Sequence, residues 1–435
     1  MKKKIKLSSF FLSMSLFSMQ VSARDISIEE AINIGLQKSE NIQQAIFDIE
    51  IAKEQVEEAW ASVYPQVSAQ VQTIRHTKAP VLQFNGTSVP VKQDWELLSS
   101  LQITQVIYSF GRVKSALEMA KISSDMQSTA KKVLERELRY AVEMAYYNVQ
   151  LSQNILKISE DSIGNARKNQ KALEKRFQGG RVPRLDNLRM QSDIASRVPN
   201  VSNAKKNLEL AYLQFNLLLE LDRTERPNLI SKLDYNYKNF DDGLLRGEIQ
   251  NTPQIKLSKL KVDMADKQVG LEKSYHYPSI SAFGNISHNG TGDSMPPEDE
   301  NLFTSTSIGI MVNIPIYEGG AVSARTRQKV LAKTRAEIDQ KRQTEELELS
   351  LNQSLVEYRT NLDRLDAAKD AVRLAKQAYD LTRTRFETGG ATRNDLNDSE
   401  RSLTSARIQV ESIKFEIFQN KANINKLTKK VVSND

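Results

Sequence analysis

Apolar side chains recur at every seventh position at Leu351, Tyr358, Leu365, Val372, Tyr379 and Phe386. Positions 209 residues earlier hold Val142, Val149, Leu156, Ile163, Gln170 and Phe177. No glycine or proline interrupts Ala321 to Thr388, and Gly164 is the sole breaker between Arg112 and Gln178. The pattern predicts two very long helices. At ~1.5 Å per residue each would run roughly 100 Å. A seven-residue apolar spacing sustained that far predicts coiled-coil packing; a long amphipathic helix in an ordinary bundle is the plainer alternative.

Other stretches alternate with period two. Val67 to Gln72 alternates apolar and polar residues. Trp95, Leu97, Leu101, Ile103 and Ile107 share one parity, opposite Ser100, Gln102 and Thr104. Ile280 to Ser287 alternates weakly, and Ile308, Ile310, Val312 and Ile314 alternate clearly. These read as four strands of about ten residues, a length that suits a tilted strand crossing a bilayer. Loops at His76–Asp94, with Asn85-Gly86, and His288–Asn301, with Met295-Pro296-Pro297, join each pair. A small soluble sheet with one wet face is the alternative. Against lipid, an open four-stranded edge leaves backbone groups unpaired. Membrane strands would therefore have to close with strands from other copies, and three copies give twelve.

The order of these elements repeats. Tyr64-Pro65 returns as Tyr277-Pro278, and Ile107-Tyr108-Ser109-Phe110-Gly111 as Ile316-Tyr317-Glu318-Gly319-Gly320. Phe177, Gly180 and Asp186 return as Phe386, Gly389 and Asp395. Each unit reads helix, Tyr-Pro, strand pair, glycine turn, long helix, Phe-x-x-Gly turn, helix. In unit one a helix opens at a Ser27…Glu30 capping box and runs to about Tyr64; its counterpart is Gln254–Tyr275. The helices after the turns span about Pro183–Leu221 and Thr392–Lys429. The resulting division is 1–23, a first repeat at 24–221, a connecting segment at 222–250, a second repeat at 251–432, and a tail at 433–435.

Composition narrows the class. Lys2, Lys3, Lys4 and Lys6, an apolar run from Leu7 to about Met19, and Val21-Ser22-Ala23 read as a secretory signal cleaved after Ala23. Losing those four lysines lowers the formal charge from +7 to +3, so charge gives no case for nucleic-acid binding. The chain has no cysteine, which excludes disulfides, thiolate metal sites and a lipid anchor on cysteine. The histidines are His76, His276 and His288; two fall in expected loops and one precedes a strand, so no metal triad or cofactor site is expected. No phosphate loop or nucleophile turn is visible. Trp60 and Trp95 flank the first strand pair, as interfacial or core residues.

Taken together, the duplicated unit, both Tyr-Pro dipeptides, Pro-Ile-Tyr-Glu-Gly-Gly at 315–320 and the twofold Phe-x-x-Gly-x5-Asp resemble the TolC family of outer-membrane efflux and secretion ducts. The resemblance spans nearly all of the mature chain. It implies an α+β membrane protein: a homotrimer whose twelve-stranded outer-membrane β-barrel, four strands per protomer, continues into a long α-helical barrel across the periplasm. Residues Asp222–Gln250 and the C-terminal tail would form a belt around it. Outer-membrane lipid, a periplasmic adaptor and an inner-membrane pump of the RND or ABC type are the implied partners. No reaction is catalysed.

On that resemblance each Phe-x-x-Gly phrase is a periplasmic tip hairpin. Gly180 and Gly389 suit left-handed helix ends, and Pro183 suits the first turn of the next helix. Asp395 and Asp398 lie three apart on one helix face; they match the family's Asp-x-x-Asp at the pore constriction, and dipole complementarity is the plainer explanation. For Asp186 the dipole reading is preferred. Phe386 and Ala391 stand where some relatives close the mouth with tyrosine and arginine. Arg189 and Arg393 are the candidate replacements, with an Arg189–Asp398 contact between neighbouring hairpins as one expectation. The expected function is an exit duct for small toxic compounds. The alternatives are type I protein secretion, a periplasmic coiled-coil adaptor or scaffold, and a secreted enzyme.

Overall fold

The computed structural model describes residues 24–428 apart from 79–80, 85, 91–92, 181, 232–239, 296 and 299–301. The expected signal (1–23), the tail (433–435) and Asn85 and Pro296 of the loops lie outside the described residues. The chain divides into two compact units. One comprises residues 1–35, 141–234 and 368–415; the other comprises 36–140, 235–367 and 416–435.

The two long helices are α3 (Arg112–Gln178, 67 residues) and α7 (Ala321–Thr388, 68 residues). Their bounds coincide with the breaker-free spans. Gly164 does not interrupt α3, because one glycine costs a helix only ~1 kcal/mol. Of the seven-residue positions, Val142, Val149, Ile163, Leu351, Tyr358, Leu365, Tyr379 and Phe386 are buried, and Leu156, Gln170, Phe177 and Val372 are half-buried. After each long helix comes a shorter one, α4 (Arg184–Leu219) and α8 (Arg393–Leu427).

The first helix is not continuous to Tyr64, as the pattern predicts. It is two helices, α1 (Ile28–Lys38) and α2 (Glu40–Ala61). Ser39 between them adopts φ −52°, ψ 117°, and its Oγ accepts from the Ile42 N–H at 3.4 Å. A serine that caps a new helix start competes with continuation through it. The capping box at Ser27 is half formed. Ser27 Oγ accepts from the Glu30 N–H, but the Glu30 carboxylate turns to Arg24 at 2.6 Å.

In the second unit, strands β2 (Gln66–Arg75), β5 (Trp95–Tyr108), β7 (Ser279–Gly292) and β8 (Leu302–Asn313) form one antiparallel sheet in that order. Three of the four are longer than the ten residues expected. His288 lies within β7, not in a loop, and its Nδ1 pairs with Thr304 Oγ1 at 3.0 Å. The 76–94 loop contains a further hairpin, β3 (Val81–Phe84) with β4 (Thr87–Pro90). Directly opposed residues share a face. Val67, Ile103, Gly284 and Ile308 form one cross-sheet row. Ala69, Leu101, Ile286 and Thr306 form the next. The other face carries Ser68, Gln70, Gln102, Thr104, Asn285 and Ser307. At the end of β5, Phe110 turns at φ 47° and stacks on Tyr277 of the second Tyr-Pro dipeptide, centroids 5.5 Å apart. Also in this unit is α6 (Pro253–Ser274), where the sequence predicts it.

The connecting segment is partly regular. Strand β6 (Asn228–Leu229) pairs in parallel with β1 (Asp25–Ile26) in the first unit, and α5 (Asp242–Ile249) lies in the second. Tyr146 fixes the strand pair: its hydroxyl donates to the Ile26 carbonyl and accepts from the Ser231 N–H, both at 2.9 Å. Tyr147 and Phe215 are the large buried neighbours of Tyr146.

Candidate functional site: the paired glycine hairpins

Both glycine hairpins belong to the first unit. Helix α7 ends in a Schellman motif: Gly390 N–H donates to the Arg385 carbonyl at 2.7 Å, and Gly389 N–H to the Phe386 carbonyl at 3.1 Å. Gly389 has φ +89°, a conformation costly for any residue with a Cβ. At the end of α3, Gly180 has φ +69° and its N–H donates to the Phe177 carbonyl at 2.8 Å. Pro183 occupies the N-cap position of α4, one residue earlier than expected, at φ −66° and ψ 150°.

The second hairpin opens α8 with a capping box. Asp395 N–H donates to Thr392 Oγ1 at 3.1 Å, and Asp395 Oδ2 accepts from the Thr392 N–H at 2.9 Å and its hydroxyl at 2.7 Å. The Thr392 hydroxyl, then its backbone N–H, holds the Asp395 carboxyl below the ordinary aspartate range. Asp395 thus has a local structural task. Asp398, one turn on, is exposed. Asp186 is half-buried in the first turn of α4.

Phe386 is buried with Leu173, Met190, Tyr379, Leu396 and Leu403. This cluster joins four helices, with Phe177 half-buried nearby in sequence at the end of α3. Arg393 donates to Asn394 Oδ1 at 2.6 Å. Arg189 is exposed. Among the described residues neither it nor Asp398 forms an ion pair within its own chain. The expected Arg189–Asp398 contact is therefore absent inside one chain.

Two groups of residues escaped the sequence reading. The first is a buried charge cluster. Arg197 binds Asp193 Oδ2 through Nε at 3.0 Å and Nη2 at 2.8 Å. Its Nη1 lies 2.8 Å from Glu400 Oε2 and donates to Ser162 Oγ at 2.8 Å. Arg401 adds a 3.0 Å pair to Asp193. Glu400 is 1% exposed, and burial pushes its carboxyl above the ordinary range despite Arg197. The Asp193–Arg197 pair has the i,i+4 spacing that a helix makes adjacent; Glu400, on another helix, carries no such signal. The second is Arg176. Its Nη1 donates to the Phe386 carbonyl at 2.7 Å, with the guanidinium carbon 5.5 Å from that ring's centroid. Among the described residues there is no group of three or more His, Asp or Glu placed to hold a metal, and no helix is long and apolar enough to cross a membrane.

The outer-membrane channel CmeC of Campylobacter jejuni superposes with a TM-score of 0.80, covering 92% of this chain and 85% of that one at 15% identity. The fold is that of outer-membrane channels. The model of the outer membrane efflux protein family matches residues 31–219 and again 244–428, and the chain belongs to that family. Among curated relatives, Nodulation protein T of Rhizobium leguminosarum bv. trifolii is 24% identical over 390 residues, covering 87% of this chain and 80% of that protein. The outer membrane protein TolC of Escherichia coli is 21% identical over 400 residues, with 88% and 78% covered. The chain is an outer-membrane protein of an efflux-channel family, as the motifs imply, and its relatives are channels, not enzymes.

Proposed function

We propose that three copies of this chain close a twelve-stranded barrel in the outer membrane and continue it as a helical duct into the periplasm. The observation that carries this is the sheet. Its apolar face presents Val67, Val71, Leu101, Ile103, Ile286, Ile308, Ile310 and Val312, all exposed, with Ile308 at 86%. Strands β2 and β8 are its edges. One uncovered apolar face and two open edges suit lipid on one side and neighbouring copies at each end. The opposite, polar face would line the pore. The twofold match of one family model supports descent by internal duplication.

The duct exports small toxic molecules, drawing them from an inner-membrane pump of the RND or ABC class through a periplasmic adaptor. Protein secretion of type I remains the second reading; the names of the relatives favour efflux. Asp398, exposed at the start of α8, sits with Asp395 at the narrow end of the duct, where three copies would focus negative potential on passing solute. The test is envelope fractionation followed by an unheated gel in mild detergent and planar-bilayer recording. A heat-sensitive trimer in the outer membrane that conducts ions, with a cation preference lost in Asp398→Ala, is the expected result. A soluble monomer would refute the duct.

A further inference from the structure

Arg176 stands in the last turn of α3 and reaches the end of α7. Its donation to the Phe386 carbonyl places a cation where helix-terminal carbonyls carry partial negative charge. It fits closely: a Cβ built on Gly389 would lie 3.4 Å from Arg176 Nη2. The contact ties the first hairpin to the second inside one chain.

The duplication supplies both partners of that contact a second time. The residue 209 positions after Arg176 is Arg385, in the last turn of α7. The residue 209 positions before Phe386 is Phe177, whose carbonyl accepts from Gly180 just as Phe386 accepts from Gly389. Arg385 is exposed, and among the described residues its guanidinium makes no hydrogen bond or ion pair in its own chain. We infer that Arg385 donates to the Phe177 carbonyl of the next copy, repeating between chains what Arg176 does within one. In a ring of six alternating hairpins, first-to-second junctions are internal and second-to-first junctions must cross between copies. The same arginine and the same helix-end carbonyl stand at both kinds of junction. Six arginine clasps would then close the ring, three in chains and three between them. The inference rests on the three-copy reading above. Its competitor is a local pairing of Arg385 with Asp395, on whose carboxyl its charge already acts.

The chain has no native cysteine, so engineered pairs react cleanly. Full-length protein carrying R385C with F177C, treated in outer membranes with a short bismaleimide, is expected to yield covalent dimers and trimers on a denaturing gel. R176C with F386C is the internal control and is expected to stay at monomer size. In planar bilayers, R385Q is expected to raise open probability roughly ten-fold, the effect of losing one charge-assisted hydrogen bond, with R385K recovering part of it. A wild-type trimer that conducts, whose R385C/F177C form gives only monomer or whose R385Q form gates unchanged, overturns the clasp alone. Efficient linking of R385C to D395C in place of F177C assigns Arg385 to the local pairing and also overturns it. Wild-type protein that never forms a trimer fails the duct reading itself.

Discussion

Arg197 sits between two carboxylates, and its removal would leave Glu400 buried and uncompensated, with Asp193 held by Arg401 alone. Arg197→Ala is therefore expected to cost about 3–5 kcal/mol in thermal or chemical unfolding of the detergent-solubilised protein. Glu400 behaves oppositely. Its folded-state proton affinity is raised by burial, so the folded chain holds that proton more tightly than the unfolded one. Stability from this group is present at low pH and declines as pH rises through the unfolded and then the folded value. Glu400→Gln should abolish that decline and lose little at neutral pH, as a melting-temperature series against pH would show. Asp395 has the reverse sign: its carboxyl is held low by Thr392, so its contribution is present above the ordinary aspartate range and is lost on acidification. The melting temperatures of wild type and Asp395→Asn are expected to converge as pH falls below the folded value. These three groups were unequally legible. The Thr392–Asp395 box is written within one helical turn, whereas the partnership of Arg197 with Glu400 joins positions far apart in the chain and needed helices α4 and α8 side by side.

Glycine has opposite meanings within the long helices and at their ends. Gly164 lies in mid-helix, and a Cβ added there would meet nothing within 4 Å. Gly164→Ala should stabilise by up to ~1 kcal/mol through the unfolded chain's lost freedom. Gly389, at φ +89°, should lose roughly 1–2 kcal/mol on the same change, because an alanine there strains the left-handed turn. Urea unfolding of the two variants in parallel tests the contrast. Both long helices were readable from breaker-free runs, and both glycine turns from their spacing. The break at Ser39 was not, since a lone serine in a helical pattern is as compatible with continuation as with a cap. The β3–β4 hairpin was hidden for a related reason: four-residue strands are too short for periodicity to register.

For the molecule as a whole, the two faces of the sheet differ in polarity, and the proposed duct would set one against lipid and the other against water. Ile308 stands on the apolar face and Ser307 on the polar one. Ile308→Lys should cost up to ~2–4 kcal/mol if it lies near the bilayer midplane and so deplete the protein from outer-membrane fractions. Ser307→Lys should assemble normally and shift the ion preference of the channel. Equal loss from both would show that neither face meets lipid selectively.

The sequence by itself determined the two long helices, the glycine turns and the four long strands, because each is enforced by residues within a few turns of one another, and it carried the repeated order as matching phrases 209 residues apart. Tertiary structure alone decided the strand order β2-β5-β7-β8, the cross-sheet rows that separate apolar from polar faces, the burial of Glu400 and the reach of Arg176 to Phe386. Those depend on which distant segments lie side by side, and a side chain's pattern records its burial but not the identity of its neighbour.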